Sequence, residues 1–139
     1  MPKLVHVVRD MYDAFNERNF ERVAAAFADP CEYETIAADS VMRTGVEVAD
    51  GLRAWATAFP DGFVEMRNVI AAGPWIVVEW HAQGTQTGPL RGQAPSGRRF
   101  ERRGCAVAQV EDEKIVRYRD YFDRAQMYEP LGLMHLLTR

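Results

Sequence analysis

Apolar residues near the start of the chain recur with helical spacing. Leu4, Val8, Met11 and Phe15 fall on one face behind Pro2, a residue tolerated in a first helical turn, and the stripe stops at "ERN". This predicts an amphipathic first helix. "FERVAAAFADP" predicts a short second helix ending before Pro30, because the residue preceding a proline is steered out of helical geometry. "CEYETI" then alternates as a strand does. Thr44 and Glu47 have capping-box spacing and start a third helix, with Val48, Leu52, Trp55 and Phe59 on one face and "PDG" closing it.

Beyond that point the pattern switches to strand-like runs: "FVEMRNVI", "WIVVEWHAQ", "RRFERRGCAVAQV" and "KIVRYRDYF", separated by "AAGP", a long Gly/Pro loop and "EDE". Four such runs predict an antiparallel meander. Helices followed by strands argue an α+β domain, with three N-terminal helices covering one face of a curved, mainly antiparallel sheet. The loop "GTQTGPLRGQAPSG", residues 84–97, is too long for a hairpin and is a candidate gate to a pocket or a plain surface excursion.

The 139 residues fit a single domain spanning 1–139, large enough to bury a core. A composition of 47% hydrophobic and 27% charged residues is globular, and a net charge of -3 offers no basic footprint for nucleic acid. No apolar run approaches the roughly 18 residues of a membrane span. "MPKLVHVVRD" breaks its apolar stretch with Arg9 and Asp10, unlike a secretory leader, so the expected location is the cytoplasm. Cys31 and Cys105 have no metal-site spacing and read as small hydrophobes, and His6, His81 and His135 are scattered. No metal site is expected.

The chemistry concentrates in "KIVRYRDYFD". Asp123 and Gln126 have N-cap and N3 spacing, so Asp123 is expected to cap a short C-terminal helix. Alternation puts Val116, Tyr118, Asp120 and Phe122 on one face, and the apolar set must face the helices, which carries Asp120 inward. A carboxylate there loses hydration, its pKa rises, and it becomes a candidate general acid/base. The bland alternative is an Asp120 neutralised by an arginine of the sheet, merely pinning the strand.

In "WIVVEWHAQG" the apolar parity is Ile76, Val78, Trp80 and Ala82, which makes Trp80 a pocket wall or a core residue and points His81 to the outer sheet face. "CEYETI" puts carboxylates on one parity and Tyr33 on the other. Glu34 is therefore a candidate second acid, or a solvated residue of an edge strand.

Taken together and in order, "AFNERN", "AFPDGF", "GPWIVVEW", "GTQTG", "PSGRRF" and "KIVRYRDYFD…LGL" resemble the SnoaL-like polyketide cyclase family over about residues 4–133. The resemblance implies a cone-shaped α+β fold related to nuclear transport factor 2, enclosing an apolar pocket. It also implies ring closure of a polyketide-derived molecule by intramolecular aldol condensation, with Asp120 as general acid/base and without metal or organic cofactor. Phe15, Trp55, Phe59, Trp80 and Tyr118, with Asn16 beside them, are the expected substrate contacts, and Glu34 the secondary acid.

The chain departs from the family pattern at three positions: Glu34 replaces a pocket asparagine, Ala106 a histidine, and Glu113 the glycine of the last turn. Relatives of this fold also include cofactor-independent hydroxylases and epoxide hydrolases, and a non-catalytic ligand-binding module is the rival from another class. The expected partners are an apolar small molecule and a second copy of the chain. The second copy would pair through the outer sheet face of Glu79, His81, Arg117 and Arg119.

Overall fold

A computed structural model of the chain describes residues 2–137. Helix α1 (Pro2–Asn16) buries Val8, Met11, Tyr12, Ala14 and Phe15 on the expected face. Helix α2 (Phe20–Ala25) is shorter than the sequence suggests, and β1 (Phe27–Thr35) begins before Pro30. Proline is accommodated inside β1 because the register with the neighbouring strand shifts between Phe27 and Glu32, so its missing N–H costs no ladder bond. The short strand β2 (Ser40–Met42), which has no clear sequence signal, pairs back on β1.

Helix α3 (Gly45–Ala58) starts at the expected capping box. The Thr44 hydroxyl accepts from the Glu47 N–H at 3.1 Å, and the Glu47 carboxylate accepts from the N–H groups of Arg43 and Thr44 at 2.7 and 3.2 Å. The meander follows as β3 (Phe63–Ala72), β4 (Trp75–Thr85), β5 (Arg99–Glu111) and β6 (Lys114–Phe122), and after it come α4 (Ala125–Leu131) and a short 3-10 helix (Met134–Leu137). The sheet is open and six-stranded in the order β2-β1-β6-β5-β4-β3. Only β1 and β6 run parallel. The helices pack on its inner face over a core that includes Val8, Phe59, Ile76, Val78, Phe100 and Ile115.

Two local expectations are corrected. Ile115, not Val116, occupies the inner position of β6, because a bulge opposite Gln109 and Val110 makes Val116 the extra residue. Asp123 does serve α4, its carboxylate accepting from the Ala125 N–H at 2.9 Å, but the capping position is Arg124 and no box forms with Gln126. Gln126 instead accepts from the Arg103 N–H at 2.9 Å and ties α4 to β5.

At the last turn Asp112 and Glu113 both take positive φ, 50° and 62°, so Glu113 accepts the conformation that glycine usually fills. Cys31 is buried, Cys105 half-buried, and both are free thiols. No helix among the described residues is long and apolar enough to cross a membrane. Nor do these residues gather three or more His, Cys, Asp or Glu side chains in a metal-binding group.

Candidate active site

The inner face of the sheet and the helices above it enclose a cavity of about 230 Å³. Strand alternation delivers its floor: Tyr33 and Thr35 from β1, Trp80 and Ala82 from β4, Arg102 from β5, and Tyr118, Asp120 and Phe122 from β6. Helix α1 adds Met11, Tyr12 and Phe15, and α3 adds Gly51, Leu52 and Trp55. The lining is apolar and aromatic with few polar groups, the usual make-up of a small-molecule site.

Asp120 is the only carboxylate in this lining. Asp120 is half-buried in the cavity lining, and loss of hydration pushes its pKa up to about 6 from the ordinary 3.8. Two effects oppose the rise. Trp80 Nε1–H donates to Asp120 Oδ1 at 2.9 Å, and the positive charge of Arg102 favours the carboxylate. Among the described residues the Trp80 bond to Oδ1 is the one hydrogen bond that the Asp120 side chain makes.

The Trp80–Asp120 bond depends on a glycine opposite the indole. A Cβ on Gly104 would lie 2.2 Å from Trp80 Cζ2 and 2.7 Å from the Tyr121 carbonyl oxygen, so only a residue without a side chain lets the indole lie across β5 and reach Asp120. Beside them, the Tyr12 and Tyr118 hydroxyls share a hydrogen bond of 2.5 Å, and the Tyr33 ring stacks on Tyr118 at 4.7 Å and 8°. Burial and the nearby Asp120 charge raise the pKa of all three phenols, so they act as neutral hydrogen-bonding groups.

Phe15, Trp55, Trp80, Tyr118 and Asp120 are thus brought together as expected. Phe59 lies one layer behind, fully buried, its ring 5.0 Å from Trp55 and 4.9 Å from Phe100. Asn16 is outside the cavity. Its amide donates to the Val64 carbonyl at 2.8 Å and accepts from the Val64 N–H at 3.0 Å, fastening α1 to β3.

Glu34 is not brought to Asp120. The inward positions of β1 are Tyr33 and Thr35, and Glu34 lies on the outer face, its carboxylate 3.6 Å from Arg119. The pair cannot share a proton there. His81 is also outward, with Nε2 3.1 Å from Glu101. The loop after β4 is stapled by the buried Gln86 side chain, which donates to the Gly88 and Ala94 carbonyls and accepts from the Ser96 N–H.

Among the cavity residues that escaped the sequence reading are Tyr12, Tyr33 and Arg102. Each had a signal. Tyr12 stands four residues after Val8 and three before Phe15, on the buried face of α1. Arg102 stands on the inner parity of β5 between Phe100 and Gly104, the same kind of anomaly that singled out Asp120. Its guanidinium lies 4.0 Å from the centre of the Phe122 ring, and Nε is buried without a partner. Burial lowers its pKa and the Asp120 charge works the other way.

Comparison with solved structures finds the same fold repeatedly. IdmH, a candidate polyketide cyclase from Streptomyces antibioticus, superposes with a TM-score of 0.81 at 20% identity over 93% of this chain and 98% of its own. AclR, a candidate hydroxylase from Streptomyces galilaeus, gives 0.83 at 17% identity over 95% and 82%. An LEH-like epoxide hydrolase from M. tuberculosis gives 0.75 at 27% identity over 99% and 97%. Comparison with curated proteins finds no match. The family model described as SnoaL-like polyketide cyclase matches residues 6–131, and with the open sheet, the roofing helices and the Asp120 cavity in place, the chain belongs to that family.

Proposed function

We propose that the protein is an enzyme that closes a ring in a polyketide-derived small molecule by an intramolecular aldol reaction, with Asp120 as the proton carrier. The observation that carries this reading is a single cavity carboxyl group whose pKa of about 6 lies close to neutrality. As carboxylate, Asp120 takes a proton from a carbon flanked by carbonyls. The resulting enolate carbon attacks a second carbonyl of the same chain, forming the C–C bond, and the new alkoxide recovers the proton from Asp120. One of the paired Tyr12 and Tyr118 hydroxyls donates to the other, which leaves one O–H for a substrate oxygen. The aromatic walls fold the chain so that the reacting carbons meet.

The test is product mass. Incubation with a linear poly-β-keto compound, supplied both as free acid and as ester, should give a cyclic product of unchanged mass, or one lighter by water after dehydration. A product gaining one oxygen atom would replace this reading with hydroxylation, and an epoxide probe gaining water would replace it with hydrolysis.

The same proposal includes pairing of two copies through the outer sheet face, where Ile70 on β3 and Tyr121 on β6 are exposed and the ion pairs Arg117–Glu32 and Arg119–Glu34 join β6 to β1. Sedimentation at micromolar concentration should show a dimer, and a monomer would contradict it.

A further inference from the structure

The inner cavity adjoins a mouth of about 570 Å³, with Gly51, Trp55, Arg102 and Phe122 common to both. The mouth is lined by Arg91 from the loop after β4, Arg102 from β5 and Arg124 at the start of α4, and by no aspartate or glutamate. Three cations converge there on a chain whose net charge is -3. By contrast, Arg22, Arg43, Arg117 and Arg119 each lie against a carboxylate. These three make no ion pair among the described residues.

Arg102 has a buried polar atom without an acceptor, whereas the exposed Arg91 and the half-buried Arg124 lean on Tyr128. Arg91 Nη1 donates to the Tyr128 hydroxyl at 2.9 Å, and the Arg91 and Arg124 guanidiniums lie 5.9 and 5.5 Å from the Tyr128 ring centre. Arg102 lies against the Phe122 ring with its Nε unbonded. A buried guanidinium without an acceptor is costly, and the cost falls when a ligand anion supplies one. Fixed arginines at a concave apolar site are a recognition arrangement for a carboxylate.

We propose that the substrate is an apolar-bodied organic acid, bound as its carboxylate among Arg91, Arg102 and Arg124, with its body in the inner cavity beside Asp120. This rests on reading that cavity as the reaction site, and it selects a free acid over an ester. Arg102 borders both spaces, so it screens the bound carboxylate from the Asp120 charge.

The experiment measures binding of naphthalene carboxylate and its methyl ester by quenching of tryptophan fluorescence, since Trp55 and Trp80 line the cavity. Wild type should bind the acid on the order of tenfold more tightly than the ester, and raised salt should weaken only the acid. The Arg91→Gln/Arg124→Gln double variant should lose the preference while keeping its affinity for the ester. Arg102→Gln should also lose the preference, and the double variant carries the test if that substitution unfolds the chain. Equal binding of the two probes, tighter binding of the ester, binding of neither at millimolar concentration, or a preference that survives the double variant overturns the proposal. Asp120→Asn should keep the preference, so failure of the catalytic reading and failure of this one give different results.

Discussion

Asp120→Asn is expected to abolish turnover and, at neutral pH, to raise the melting temperature. The amide keeps the side-chain volume, and its oxygen still accepts from Trp80 Nε1, but it carries no transferable proton. Loss of a positioned acid/base group costs about 10²–10⁴-fold in rate. The gain in stability comes from the raised pKa. Because Asp120 holds its proton more tightly folded than unfolded, its contribution to stability is fully present below about pH 4 and is lost as pH rises through about 6.

Above that window the wild type carries an enclosed charge that the asparagine variant lacks, a difference of at most about 3 kcal/mol for a pKa raised from 3.8 to about 6. Arg102 loses its neighbouring negative charge in the variant, which reduces the gain. Melting curves of both proteins at pH 7.5 and near pH 4 should show a gap that closes on acidification. Near-normal turnover would remove Asp120 from the mechanism, and a lower melting temperature at neutral pH would contradict the enclosed-charge account.

The second large effect is expected from Gly104→Ala, a single methyl group placed away from the cavity lining. Its Cβ would stand 2.2 Å from Trp80 Cζ2 and 2.7 Å from Cε2, with the Tyr121 carbonyl on another side. The indole is rigid and the carbonyl belongs to β6, so neither gives way cheaply. Overpacking of this kind costs about 1–3 kcal/mol.

The displaced indole also takes its N–H away from Asp120. Removing a hydrogen bond to the charged form raises the pKa further, so the acidic limb of the pH–rate profile should move to higher pH. Trp80→Phe separates the two consequences, since it removes the donor without adding the clash. It should shift the limb in the same direction with a smaller loss of stability. An unshifted limb in both variants would mean that the Trp80 bond does not tune Asp120. By contrast, Gly51→Ala meets only the flexible Met42 side chain, at 3.4 Å, and should leave the fold intact.

Much of the site could be read from alternation and capping alone. A strand has only two faces, so the apolar partners of Asp120 on β6 committed it to the interior, and the same rule placed Trp80 inward and His81 outward. The capping box at Thr44 and Glu47 placed the start of α3. These are local constraints, carried by residues within a few positions of one another. The rule fails where its input is balanced. β1 has carboxylates on one parity and Tyr33 on the other, and which set turns inward was settled by its parallel pairing with β6, which sets Tyr33 beside Tyr118 and Glu34 beside Arg119.

Only the tertiary structure could bring Arg102 of β5 into the same cavity as Asp120, or make Gly104 the condition for the Trp80 hydrogen bond. It also gathered Arg91, Arg102 and Arg124 from a loop, a strand and the start of a helix. The physical reason is common to all three. Periodicity says which way a side chain points within its own element, whereas the group it meets there depends on strand register and helix docking, and those are settled by long-range packing.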